Sequence, residues 1–248
     1  MASSNTALRK VAVILGREVL SFQRNPHPSL ILVLLRSEKH SPQLTTSPSS
    51  PVPPPHSIRP SPPSPSSAVA HPFPNTDAAD ESSIKKAFAE IKEKWPGMDI
   101  DVAVFNPGGS FAPGPFLEKS VDDLRKNLEG GVLGAFVFSQ CFLRNVPSSG
   151  GTLLFTGATM GIRGGAKFGT MAPSKFALRA LSQSLAREFG PKGVHVAHVI
   201  IDGLIDTERV KGMAGEAEPG LRLDPEAIGK DPSAWTQELD LRPSKETF

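Results

Sequence analysis

Short apolar runs recur along the chain, and the gaps between the later ones carry helical spacing. Lys10 to Gly16, KVAVILG, is a continuous apolar stretch ending in glycine and reads as a buried strand; Leu30 to Leu35 reads as a second. Phe73 closes a third, and Asp101 to Phe105, DVAVF, makes a fourth. Thr152 to Phe155, then Val194 to Ile201, VHVAHVII, and finally Trp235 to Pro243 complete the series. Between these runs Ile84, Phe88 and Ile91 line one face of an amphipathic helix. Ser120 to Arg144 begins with a serine cap and acids in its first turn, then becomes strongly apolar, as a helix entering a core does. Leu178, Leu181 and Leu185 recur at i, i+3 and i+7, with Arg179 and Arg187 off the stripe and Gly190-Pro191 as the stop. Strands alternating with helices make this an α/β chain.

One stretch breaks the pattern. From Ser41 to Pro74 the composition shifts to Pro and Ser and apolar periodicity vanishes, so little surface is available to offset the entropy of ordering it. It is expected to be irregular and exposed, sampling polyproline II. It divides the chain into N-terminal strands (1–40), the insert (41–74) and the main body (75–248). Arg59, Pro62 and Pro65 have the R-x-x-P-x-x-P spacing of an SH3 ligand, a match that Pro/Ser tracts also produce by chance. A plain insert is the preferred reading, and an altered reading frame or misassigned exon is the other source of such a tract. Ahead of it, only Gly16 to Ser29 separates the first two strands, and Pro26 and Pro28 spoil half of that crossover as helix.

Composition narrows the function classes. The 248 residues suit one α/β domain or two small ones, with a hydrophobic share of 38% that is low for a compact enzyme. A net charge of +2 with scattered Lys and Arg gives no footprint for nucleic acid. Apolar runs fall short of a membrane span. Cys141, the only cysteine, excludes an intramolecular disulfide and reads as a buried inert thiol, which fits a reducing compartment. Arg9, Lys10, Arg17 and Arg24 give a faint transit-peptide character, but VAVIL is a poor amphipathic helix, and a cytoplasmic location is expected.

The chemistry centres on Gly151 to Gly190, GTLLFTGATMGIRGGAKFGTMAPSKFALRALSQSLAREFG, a strand, a Gly-rich loop and a helix opening on Ser174-Lys175. This block resembles the part of the short-chain dehydrogenase/reductase family that carries the active site. The resemblance extends from Phe73 to Arg242 and implies a doubly wound, Rossmann-like parallel sheet with helices on both faces. It implies hydride transfer between NADP or NAD and a small carbonyl or alcohol substrate. In such members a Tyr stands four residues before the Lys and a Ser about thirteen before the Tyr; here those positions hold Met171 and Ala158. The whole chain contains no Tyr.

The resemblance carries further assignments. Lys175 and Asn127, the latter in an N-x-x-G match, are the surviving members of the catalytic group. Gly16, Asp77, Asn106, Gly108, Lys175, Gly203 and Thr207 fall on cofactor-binding positions, with Arg36 placed for the extra phosphate of NADP. Departures accompany them: no Gly follows Gly16 until Gly97, so the phosphate-cradling turn is missing, and Asp202 stands where the nicotinamide loop usually has Pro. Thr159 is the least unsuitable replacement hydroxyl, because Thr170 and Ser174 are rotated about 100° from the right helical face. The helices at 120–144 and 173–189 are those that pair in the family's dimers. Three readings follow: an oxidoreductase with weak or no classical activity, an inactive dimerising partner, or a misassembled gene product.

Overall fold

The computed structural model describes residues 10–15, 30–35, 69–73, 76–107, 111–218, 221–223 and 238–241. Among the described residues seven strands form one sheet: β1 (Lys10–Leu15), β2 (Leu30–Leu35), β3 (Val69–Phe73), β4 (Ile100–Phe105), β5 (Gly151–Thr156), β6 (Val194–Ile201) and β7 (Glu238–Leu241). Their order is β3-β2-β1-β4-β5-β6-β7, with every pairing parallel. Winding runs outward in one direction from β1 and in the other from β4. That reversal makes the doubly wound, Rossmann-like arrangement and places the natural ligand crevice beyond the carboxyl ends of the central strands.

Sequence and structure part company at β3. Phe73 ends a strand as expected, but that strand begins at Val69, inside the stretch expected to be irregular, and its backbone pairs with β2, Leu34 opposite Pro72. An edge position explains the tolerance, since a proline has no N–H to give and one side of an edge strand has no partner to receive it. The remainder of the insert, including the SH3-like Arg59, Pro62 and Pro65, lies outside the described residues.

The core is built where apolar spacing was clearest. Helix α1 (Glu81–Lys94) is capped by the Asp80 carboxylate, which accepts the Ser82 N–H at 2.8 Å, and it buries Ile84, Phe88 and Ile91. A capping box between Ser120 and Asp123 starts α2 (Val121–Leu128). The apolar continuation is α3 (Gly134–Leu143), whose Phe138 meets Phe88 edge-on at 5.3 Å between ring centroids and Phe105 at 5.5 Å. Cys141 is buried among these side chains, and burial raises its thiol pKa. Leu178, on α4 (Ala172–Phe189), closes the same core against β4 to β6. A short helix, α5 (Glu208–Ala214), follows β6. Among the described residues no helix is long and apolar enough to cross a membrane.

Candidate active site

β5 ends at Thr156, and the chain leaves the sheet through Gly157 and Ala158. Ala158 is extended (φ −156°, ψ 169°) and leads into a 3-10 turn over Thr159–Gly161. The chain returns at Met171, which occupies the capping position of α4, with Pro173 in the first turn. Lys175 follows one turn later, its N–H bonded to the Met171 carbonyl at 3.2 Å. Its amine reaches back to donate to the Thr156 carbonyl at 3.2 Å, so a single side chain joins the end of β5 to the start of α4. Lys175 is only 6% exposed, and burial lowers its pKa from 10.5 to about 8, because a desolvated ammonium is disfavoured against the neutral amine.

The helix before β5 is interrupted two residues past Asn127 by a π turn, Glu129–Leu133. Asn127 is buried, its amide donating to the Asp123 carbonyl at 3.0 Å. Its own backbone carbonyl accepts the Ser174 hydroxyl at 2.8 Å, which turns Ser174 towards α2. A Cβ on Gly131 would overlap that hydroxyl, so glycine inside the π turn is what lets α4 approach. π turns of this kind appear as single inserted turns and concentrate at functional sites.

A third group sits at the carboxyl end of β6. Asp202 is fully buried and is gripped by Arg163 through two parallel bonds, Nη1 to Oδ2 at 2.9 Å and Nη2 to Oδ1 at 3.1 Å. The Thr159 hydroxyl donates to Oδ1 at 2.6 Å. That proton is therefore directed at a carboxylate and away from any carbonyl substrate. Arg163 and Asp202 lie 39 residues apart, and the clamp fastens the loop after β5 to the loop after β6.

Beneath it lies His198, whose two ring nitrogens are buried with no hydrogen-bond partner among the described residues. A Cβ on Gly157 would overlap the imidazole, and Glu238 stands 3.9 Å from Nδ1. Burial, with smaller effects from Lys175 and Arg179, lowers the His198 pKa to about 4 against the raising effect of Glu238, so the ring is neutral. Glu238 itself is held by Arg179 in a bidentate pair at 2.6 and 2.7 Å, linking α4 to β7 and lowering its pKa. Sequence reading missed His198, although the period-2 pattern places it with Val196 and Ile200 on the inward face of β6. It also set Arg179 apart from the buried stripe, and no local pattern announces a partner 59 residues away.

The remaining assigned positions scatter around this centre. Asn106 directly follows β4 and is partly buried. Asp77 uses Oδ1 to accept the Ala79 N–H at 2.9 Å in a tight turn. Thr207 caps α5 by accepting the Val210 N–H at 3.3 Å, which leaves its own hydroxyl proton for another acceptor, while Gly203 lies between it and Asp202. Gly16, Arg36 and Gly108 lie outside the described residues. Among the described residues no group of three His, Cys, Asp or Glu could hold a metal.

A family model described as enoyl-(acyl carrier protein) reductase matches residues 65–226, a span that includes Asn127, the β5 loop, Lys175 and Asp202. The chain belongs to the short-chain dehydrogenase/reductase family. Carbonyl reductase family member 4 of Danio rerio is 28% identical over 141 residues, 57% of this chain and 58% of that protein. A 3beta-hydroxysteroid dehydrogenase of Mediterraneibacter gnavus is 26% identical over 176 residues, 71% of this chain and 62% of its own length. The chain thus spans less than two thirds of these curated relatives. Among solved structures, the short-chain dehydrogenase/reductase from Serratia marcescens superposes with a TM-score of 0.69 at 19% identity, covering 95% of this chain and 98% of its own. A short chain dehydrogenase from Burkholderia cenocepacia in complex with NADP gives 0.60 at 24%, covering 71% and 76%. At these identities the structural likeness speaks for the fold.

Proposed function

We propose that this chain is a NAD(P)-binding short-chain dehydrogenase/reductase in which the family's phenol-based proton transfer has been lost. The observation that carries the reading is Met171, a thioether one turn before a buried Lys175 in a chain without a single tyrosine. The nicotinamide side of such a site fits the residues present: Lys175, Asn106 and Thr207 offer donors beyond the carboxyl ends of β4, β5 and β6. The pyrophosphate side fits less well, because Gly16 stands alone where closely spaced glycines would let backbone N–H groups converge. When bound, the dinucleotide supplies a hydride. This chain's residues would orient it and exclude water, but none of the described hydroxyls replaces the missing proton donor. Thr159 gives its proton to Asp202, and Ser174 gives its own to the Asn127 carbonyl.

NADPH titrated against the protein and followed by its own fluorescence is expected to saturate. Turnover with a panel of ketones is expected to lie about 10² to 10⁴ below that of the Serratia marcescens enzyme assayed alongside. Adding Met171→Tyr and Ala158→Ser together is expected to recover less than about tenfold, since neither change supplies the missing phosphate cradle. Failure of NADPH to saturate would remove the oxidoreductase reading.

A second reading, a dimerising partner, has its own support. Leu133, Phe136 and Phe176, on the π turn, α3 and α4, are 55%, 50% and 43% exposed, an apolar set on the helices that pair in the resembled family. A second copy of this chain is the proposed occupant. Sedimentation is expected to report a dimer, and Phe136→Glu is expected to shift it to monomer with its far-UV spectrum unchanged; a monomeric native protein would dismiss this reading.

A further inference from the structure

The active-site lysine has lost the companion it would normally serve, and its surroundings suit it to a different reaction. Its amine sits at the carboxyl end of β5 with the neutral Thr156 carbonyl as its hydrogen-bond acceptor at 3.2 Å. Two carboxylates further along the sheet are each held by an arginine, Asp202 just past β6 by Arg163 and Glu238 on β7 by Arg179. Neither is available to keep the amine protonated as a close ion-pair partner. One turn before it is Met171, and two residues beyond Thr156 is Ala158; both are partly exposed and bring neither charge nor acid to the approach. Ser174, adjacent in sequence, is turned away to Asn127. A desolvated amine with no counter-ion among the described residues is the kind of group that carbonyl-condensing enzymes create to make lysine nucleophilic.

We propose that Lys175 is an imine-forming nucleophile that condenses reversibly with small aldehydes and ketones at the carboxyl end of the sheet. The amine lone pair adds to the carbonyl carbon while the carbonyl oxygen takes up a proton, giving a carbinolamine. The carbon–oxygen bond then breaks, the oxygen leaves as water with a second proton, and a protonated imine remains. Two protons are taken up in these steps and the nitrogen gives up one, so the net change is amine plus carbonyl plus one proton to iminium plus water. No oxidant or reductant takes part. Burial supports the step by leaving a large share of the amine neutral near pH 8. This activity needs no dinucleotide and stands apart from the proposed hydride chemistry.

The test is reductive trapping on the full-length protein. Propanal is added with sodium cyanoborohydride at neutral pH, where it fixes an imine as a stable propyl amine, and labelled lysines are located by peptide mass mapping. Lys175 is expected to be labelled about tenfold or more faster than Lys85 and Lys126, because burial leaves more of its amine in the nucleophilic neutral form. Lys175→Met should abolish the fast phase and leave slow surface labelling in place. Labelling of Lys85 and Lys126 with Lys175 untouched, or labelling of all three at one rate, would overturn the proposal. No nicotinamide enters the assay, so its outcome is independent of NADPH binding.

Discussion

Replacing Arg163 by alanine is expected to lower the unfolding free energy by about 3 kcal/mol, because it strips a fully buried carboxylate of its bidentate partner. The value sits at the lower end for broken buried pairs. Arg163 is 47% exposed along its side chain, and water can enter part of the space it leaves. The Asp202→Asn variant keeps the shape without the charge and is expected to cost less. In the Arg163→Ala, Asp202→Asn double variant the two losses should fall short of their sum, since the uncompensated charge disappears. Urea unfolding of the four proteins measures this coupling. Strict additivity would mean that the pair contributes nothing through charge, and that the loops after β5 and β6 are held by packing alone.

That clamp marks the boundary of what could be read in the chain. β4, α1, α4 and β6 follow from local patterns: apolar runs of strand length, the spacing of Ile84, Phe88 and Ile91, and the Gly190-Pro191 stop. Lys175, Asn127, Met171 and Ala158 were legible because they lie in short motifs with fixed spacing. The interactions that set their chemistry were not. Thr159 could be nominated as a replacement hydroxyl from its neighbourhood alone, but its bond to Asp202 spans 43 residues of chain and exists only once β5 and β6 lie side by side. The pairing of Arg179 with Glu238 depends in the same way on β7 joining the sheet. β3 was read only at its end, Phe73, for a different reason: its proline and histidine belong to the composition of the preceding tract, and only pairing with β2 reveals the strand from Val69 onwards.

Replacing Lys175 by methionine is expected to stabilise the protein by about 2 to 3 kcal/mol near pH 7, in spite of the lost bond to Thr156. The folded chain holds this amine at a pKa of about 8 against 10.5 for an ordinary lysine, so below pH 8 it carries the full cost of a buried ammonium. Between pH 8 and 10.5 the unfolded chain still binds the proton that the folded chain has released, so the unfolded state is the more protonated. The Lys175 contribution to stability therefore rises with pH across that window and its cost is relieved by the upper end, while the buried Cys141 thiol, its pKa raised by burial, acts in the opposite sense in both proteins, so the lysine is read from the difference between them. The methionine variant lacks the lysine titration. His198 does not confuse the comparison, since its window lies between about 4 and 6.5, where the unfolded imidazole takes up a proton that the buried ring does not, and stability falls as pH falls. Thermal unfolding of both proteins from pH 7 to 10.5 checks the point. A variant less stable than the native chain at pH 7, or a stability gap between the two proteins that does not narrow from pH 8 to 10.5, would show that Lys175 is paired or solvated and that its amine is an ordinary one.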